Sequence, residues 1–583
     1  MKSPLILFFV LGFIFSCTKE TTENQTKILN QFSQPLSHLD PQLSTGLSSS
    51  LALGKIYEGL MEVHPFDGPY HLLPNLAQEM PKVSSSGLIY RFKIRNDIQY
   101  QDCTCFDRPR FVIAEDFINS FKRIADPKLS SPYYHVWSRR IKGLKKFHDQ
   151  SLKSKETDYS KIITGLKAID KYTLEIEILN PDHYFLHQLS NQTIAPIPLE
   201  AIKFYKNDFS SKTIGTGPYQ LVRWIRKSSL LFDKFKNFRK KIFPSTASKK
   251  YLSYIKNYQG SRVPLIPKIR VQIINESQSA WLNFLRGKLD YIEIPKDSFS
   301  TSVLSGKSLS PEMKKKGIVL GLTKSNSNIY YFGLNNKKGP TKNLFLRKAI
   351  ALAFDQNKYN ELFHNNTAVI ATTILPPGIP GNTPPLLGPY GEEKLEEARV
   401  LLKKHGHENG KGLSKLTLSI RASTQGRQIG DYFVSQMKKI GLQVSINLLE
   451  WGSLLSKVQK GDYQIFYLSW FVGIPSANAF FDLLYGGYWP DSYNRVGFTH
   501  PEFDRLYDQA ATSRNLKANN LLYRKMNKIM LKNLPLIPLV HVQDYFVRQA
   551  WLVNYIPSEF MGAMEQYYDI DLELKKKYLS LKK

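Results

Sequence analysis

Cysteine is nearly absent, with three in 583 residues. That excludes a scaffold stapled by many disulfides. It also leaves too few thiolates for a structural zinc site, which normally draws on four ligands. No apolar run reaches the roughly 18–20 residues that a bilayer-spanning helix requires. Reaction motifs are missing too: the chain has no GxxxxGK[ST] phosphate loop, no HExxH and no GxSxG elbow. "GTGPY" (215–219) lacks the Lys-Ser/Thr of a phosphate loop and runs into the strand-like "YQLVRW", so it reads as a turn. The histidines are scattered, and the closest pair, His405 and His407, sits at a helix exit where a solvated pair is expected rather than a metal site. No two carboxylates stand out as an acid and a base. The expectation is therefore of no catalytic residues, no metal and no cofactor.

What is present describes a large globular chain. A hydrophobic content of 42% and an aromatic content of 13% exclude a mainly disordered protein, and the length calls for two or three lobes. The formal net charge is +31, and removing residues 1–16, whose one charged side chain is Lys2, lowers it by a single unit. The basic residues are dispersed (Arg139 and Arg140, Lys240 and Lys241, Lys575 to Lys577), with no dominant stripe. This favours a solvated basic surface near anionic envelope components over nucleic-acid binding.

The N-terminus reads as an export signal over 1–16, "PLILFFVLGFIFS" ending in small Ser16. Cys17, directly after it, resembles the acylated cysteine of bacterial lipoproteins, although Ile14 and Phe15 depart from the usual pattern. "TKETTENQTK" then has no aliphatic or aromatic side chain, which marks 17–26 as a flexible tether. Cys103 and Cys105 form a CxC pair, read as a local disulfide or as two free thiols.

Regular structure is clearest in the C-terminal half. "LTLSIRAS" (416–423), "LQVSINLLEW" and "YQIFYLSW" alternate as strands. "RQIGDYFVSQMKKI" and "GSLLSKVQK" between them have helical spacing. This β-α-β-α-β order implies parallel strands in an α/β sheet and puts Trp470 at a carboxyl strand end, where ligands tend to bind. "KIRVQII" (268–274) reads as a strand, and "SQSAWLNFLRGKLDYIEI" as a helix broken at Gly287 and followed by a strand. Residues 343–354 and 392–406 read as amphipathic helices around a proline-dense loop, "ILPPGIPGNTPPLLGPYG".

Several segments, taken in order, resemble the bacterial extracellular solute-binding proteins of oligopeptide and dipeptide importers. They are "LDPQLSTGLSSSLALGKIYEGLM" (39–61), "LIYRFKIRNDIQYQD" (88–102), "VIAEDFINSFKRIADPKLSSPYY" (112–134), "KAIDKYTLEIEI" (167–178), "GTGPYQLVRW" (215–224), "LRGKLDYI" (285–292), "YYFGLNN" (330–336) and "LRKAIALAFD" (346–355). Each is weak alone; the shared order carries the resemblance. It implies a two-lobed periplasmic-binding-protein fold of the class II, cluster C type, with an inserted α+β domain and a hinge. Lobe 1 would comprise 27–62, 183–325 and 545–583, the inserted domain 63–182, and lobe 2 326–544.

The same resemblance implies a monomeric, lipid-anchored protein that hands peptides or peptide-like solutes to the permease of an ABC importer and catalyses nothing. Ser469, Trp470, Phe471, Val472 and Gly473 fall on the family's ligand-pairing strand, Ser48, Ser49 and Ser50 on the facing segment of lobe 1, and Tyr133 on a tyrosine that holds the peptide's amino end. Peptide binders commonly read Trp-x-x-Asp here, with the aspartate on the ligand's α-amine; this chain has Gly473 in its place. Either another acid, Asp482 or Asp491, supplies the charge, or the solute lacks that amine. Two other classes compete: a protein of the same fold for an anionic solute or a macromolecule, and an enzyme of unrecognised type.

Overall fold

Alternating burial sets the first sheets. The computed structural model describes residues 26–582 except 37, 45, 69, 183, 305–307, 323–326, 383–389, 474–475, 491–492, 514–515 and 557–563, and except the side chains at 207, 210, 254, 322, 516 and 517. The export segment 1–16, Cys17, almost all of the tether and Asp491 lie outside the described residues. The chain begins with β1 (Ile28–Ser33) and α1 (Leu47–Leu53). A four-stranded antiparallel sheet follows from β2 (Lys82–Val83), β3 (Ile89–Lys93), β4 (Leu166–Asp170) and β5 (Thr173–Glu177), in the order β2-β3-β5-β4. Between β3 and β4 lie α2 (Ala114–Ile124) and α3 (Tyr134–Ser138). Tyr90 and Phe92 of β3 turn inward while Arg91 and Lys93 face solvent, the period of a half-buried strand.

Next come β6 (Tyr219–Ile225), β7 (Ser229–Lys234) and β8 (Lys268–Ile273), which join β1 in the order β1-β8-β7-β6. Here β1 runs parallel to β8, and the other pairs are antiparallel. "GTGPY" is the turn into β6. Gly217 N–H donates to the Ile56 carbonyl at 2.7 Å and Tyr219 N–H to that of Lys55 at 3.1 Å. A side chain at Gly215 would put Cβ 1.9 Å from the Ile56 oxygen, so glycine there is what lets this turn lie on "KIYEGL". Helix α4 (Ser277–Leu285) leads to β9 (Tyr291–Glu293), which with β10 (Ile318–Leu322) flanks a strand from the C-terminal end of the chain, 545–549.

The largest sheet has six strands: β11 (Asn328–Leu334), β12 (Val369–Ile370), β13 (Leu416–Arg421), β14 (Val444–Leu449), β15 (Ile465–Phe471) and β16 (Leu536–His541). Their order is β12-β16-β11-β15-β13-β14. β13 is parallel to β14 and to β15, as the crossovers require, and β11 is antiparallel to β15 and β16. Central β16 is buried along its whole length, hence its near-continuous apolar run, and Pro538 is accommodated beside a register shift at Tyr330/Tyr331 of β11. Around this sheet pack α5 (Leu344–Ala353), α6 (Leu395–Lys404), α7 (Thr424–Lys438), α8 (Trp451–Gln459), α9 (Ala477–Phe481), α10 (Pro501–Thr512) and α11 (Leu516–Asn533), with a separate apolar core on each face. β17 (Tyr545–Gln549) then returns to pair with β9 and β10. The chain thus passes between the two halves twice, between Leu322 and Asn328 and between His541 and Tyr545.

Element ends differ from the sequence expectation by up to a few residues, and two helix starts show why. α7 begins at Thr424 because the Ser423 side chain caps it, accepting from Gly426 N–H at 3.0 Å. Trp451, assigned to the end of a strand, instead opens α8.

Candidate functional site

A cavity of about 320 Å³ opens between the six-stranded sheet and the N-terminal segments. Trp470, Phe471, Val472 and Gly473 border it on one side, and Ser50, Tyr57, Glu58 and Glu62 on the other. In an antiparallel ladder, residues whose N–H and C=O groups meet the partner strand alternate with residues whose groups point away. Val472 N–H donates to the Ser327 carbonyl at 2.8 Å, which fixes the phase. Trp470 and Leu468 therefore also address β11, while the groups of Ser469 and Phe471 face the opposite side. On that side β13 pairs with β15 only at Ile465 and Phe466. From Tyr467 to Phe471 the edge has no strand partner among the described residues.

Trp470 is half-buried, so its ring serves both the core and the cavity. Its Nε1–H donates to the Ala479 carbonyl at 2.8 Å, and Tyr493 meets it edge-on with ring centroids 5.1 Å apart. Tyr133 also borders the cavity, but its hydroxyl is already given to the Ser44 carbonyl, and burial pushes its ionisation upward. The serine run is only partly at the site. Ser50 borders the cavity and accepts from Gln192 Nε2 at 3.3 Å, whereas Ser48 and Ser49 do not border it. The physical reason is that 47–53 is helical. The amide of Ser50 is consumed by the Gly46 carbonyl at 2.9 Å, so the run offers no extended edge. Ser469 lies one residue deeper in β15 than the bordering stretch, opposite Tyr330.

The charged wall was not legible beforehand. Glu58 takes two hydrogen bonds from Arg239, at 2.7 and 2.9 Å, and Glu62 is paired with Lys241. Burial alone would raise the Glu58 carboxyl; the Arg239 charge overrides it and holds the group below the usual range. Arg140 donates to Asp182 at 2.9 Å, and Arg139 reaches Tyr485 OH at 2.6 Å with its guanidinium 5.0 Å from that ring, tying the end of α3 to the segment that follows α9. Asp482, one turn beyond Ala479, accepts from the Tyr507 hydroxyl. Burial pushes its carboxyl up to about 6; the Tyr507 bond and Arg140 oppose the shift, and Asp182 adds to it. Arg495 stands with its guanidinium 5.9 Å from the Trp470 ring centroid.

The other candidates fall elsewhere. Cys103 and Cys105 are joined as a disulfide. His405 and His407 stack on Phe345, with centroids at 4.3 and 5.5 Å, and among the described residues no group of three or more His, Cys, Asp or Glu could hold a metal.

Residues 71–492 match the model of the bacterial extracellular solute-binding proteins, family 5 Middle. The periplasmic murein peptide-binding protein MppA of Escherichia coli is 24% identical over 91% of this chain and 90% of its own length. The oligopeptide-binding protein OppA of Bacillus subtilis is 23% identical over 94% and 93%. Among solved structures, the periplasmic binding protein DppA of Helicobacter pylori in complex with the peptide STSA superposes with a TM-score of 0.77 at 20% identity, covering 94% of this chain and 99% of that one. The two-lobed architecture is shared with these structures.

Proposed function

Because the chain belongs to the bacterial extracellular solute-binding proteins of family 5, we propose that it captures peptides or peptide-like solutes in the interlobe cavity and delivers them to the permease of an ABC importer. The observation that carries this reading is the open edge of β15 at the cavity wall. A bound chain adds to Ser469 and Phe471 through its own backbone, which is indifferent to side chains, and the ligand favours the closed state by touching both lobes at once.

The division into lobe 1 (27–62, 183–325, 545–583), inserted domain (63–182) and lobe 2 (326–544) is part of the proposal. None of the four larger sheets draws strands from two of these units, which supports it. The protein acts as a monomeric binding protein, not an enzyme, in the periplasm or cell envelope. It is held there by a lipid on Cys17, a reading supported by Ser16 before it and the polar tether after it. Cys17→Ser is expected to release the protein from the membrane fraction; retention there would remove the anchor.

Calorimetry with a mixed-sequence tri- to pentapeptide pool, alongside mass spectrometry of what co-purifies, tests the binding reading. Saturable binding and a co-purified peptide are expected. No uptake of the pool together with no co-purified peptide would overturn it.

A further inference from the structure

Two arginines follow α3, and they serve different partners. Arg140 borders the cavity and is ion-paired with Asp182 of its own half of the chain. Arg139 is exposed and does not border the cavity. Its Nη1 donates to the Tyr485 hydroxyl at 2.6 Å, and its guanidinium lies 5.0 and 5.7 Å from the ring centroids of Tyr485 and Tyr488. The seat it occupies is built by the C-terminal half alone. Tyr485 gives its hydroxyl hydrogen to Asp508 at 2.6 Å, which leaves the oxygen's lone pairs for Arg139, and its ring stacks on Tyr507 with centroids 4.1 Å apart. Gly487 completes the seat: the three nearest atoms that a Cβ there would meet all belong to the Arg139 guanidinium.

Arg139 belongs to the half that precedes the crossing at 322–328, and Tyr485, Gly487 and Tyr488 to the half that follows it, so opening about the two crossings parts them. A contact made in the closed state and lost in the open one favours closure by whatever it is worth. Two further polar ties across the halves come from lobe 1, where Gln34 accepts from Arg421 at 3.0 Å and the Lys296 carbonyl from Asn365 at 3.2 Å. The tie at Arg139 comes instead from the inserted domain. We propose that Arg139 is a latch by which the inserted domain holds lobe 2 shut over a bound solute, with Tyr485, Gly487 and Tyr488 as its keeper. A residue that never touches the solute then sets how firmly the solute is kept. The inference rests on the closing motion of the proposed function, whatever the chemistry of the solute.

Arg139→Ala and Gly487→Ala remove the latch from opposite sides. Gly487 is not among the positive-φ residues, so its backbone accepts alanine, and what the new methyl displaces is the movable end of a long side chain. Calorimetry on the full chain with the mixed tri- to pentapeptide pool is expected to show each variant binding about three- to tenfold more weakly, the scale of one exposed cation–π contact with a charge-assisted hydrogen bond. The double variant is expected to bind no more weakly than Arg139→Ala alone, because both substitutions remove the same contact. Melting curves confirm that each variant folds. Unchanged affinity in the single variants, or losses that add in the double variant as two unrelated structural faults would, overturns the latch while peptide capture stands. If the pool does not bind the wild-type protein, peptide capture falls, and small-angle X-ray scattering from the solute-free chain decides the latch: a radius of gyration raised in both single variants supports it, and one left unchanged overturns it.

Discussion

The two walls of the cavity handle charge in opposite ways. On the lobe-1 side, Glu58 and Glu62 are neutralised by Arg239 and Lys241. On the lobe-2 side, Asp482 and Arg495 border the cavity, and neither forms a salt bridge among the described residues. Paired charges hold the fold and offer a ligand only their outer lone pairs, whereas unpaired ones are available for binding. The contrast separates a scaffold wall from a reading wall within one cleft.

The contrast breaks most easily at Arg239. Arg239→Ala strands the buried Glu58 carboxylate, and a loss of about 3–5 kcal/mol of stability is expected by urea denaturation. Asp482→Asn should cost far less, and equal losses would erase the distinction between the walls. Trp470→Ala comes next. A fully buried tryptophan costs about 3–5 kcal/mol when truncated; this half-buried ring should cost less than that while weakening peptide binding by about tenfold or more, in keeping with aromatic anchors at interfaces. A melting loss as large as that of a core residue, with binding intact, would assign Trp470 to the scaffold.

Ser469→Pro is a finer probe, since it deletes an N–H on the open edge of β15 while the ladder to β11 runs through its neighbours. Binding should weaken about three- to tenfold, the worth of one backbone hydrogen bond, with Ser469→Ala as the control for the side chain. The smallest effect is in pH. The Asp482 carboxyl is raised from 3.8 to about 6, so between those values the folded protein holds a proton that the unfolded chain releases. Its contribution to stability therefore falls as pH rises across that window. Wild-type minus Asp482→Asn stability should decline by less than about 1 kcal/mol, since the group is partly screened by solvent. A flat difference would mean that Asp482 titrates normally.

Local pattern made one class of feature legible in the sequence. Alternation in "YQIFYLSW" and the helical spacing on either side of 441 placed Trp470 at a strand end, and the strand is there because those periods are set by burial along the segment itself. The serine run meets the cavity only at Ser50, because the helical turn of 47–53 carries Ser48 and Ser49 away from it, and the sequence alone does not say which face of that turn the cavity reaches. The charged wall had no local signature. Glu58 meets Arg239 across 181 positions of sequence, and Arg495 approaches Trp470 from a different element, so neither pairing follows from spacing. Gly473 flagged a missing carboxylate, and of the two acids named in its place Asp482 borders the cavity.

A strand edge left open on a protein surface invites pairing by any neighbouring chain. The open stretch of β15 is instead recessed, at the wall of a cavity that Leu455 and Gln459 of α8, Tyr133 and Arg140 also line. A folded protein offering its own edge arrives as part of a sheet with packed layers about 10 Å away, and that thickness cannot enter. A lone extended segment can. The recess therefore acts as a sieve that admits unfolded fragments and turns away folded neighbours, and it sorts them by thickness before any side chain is read.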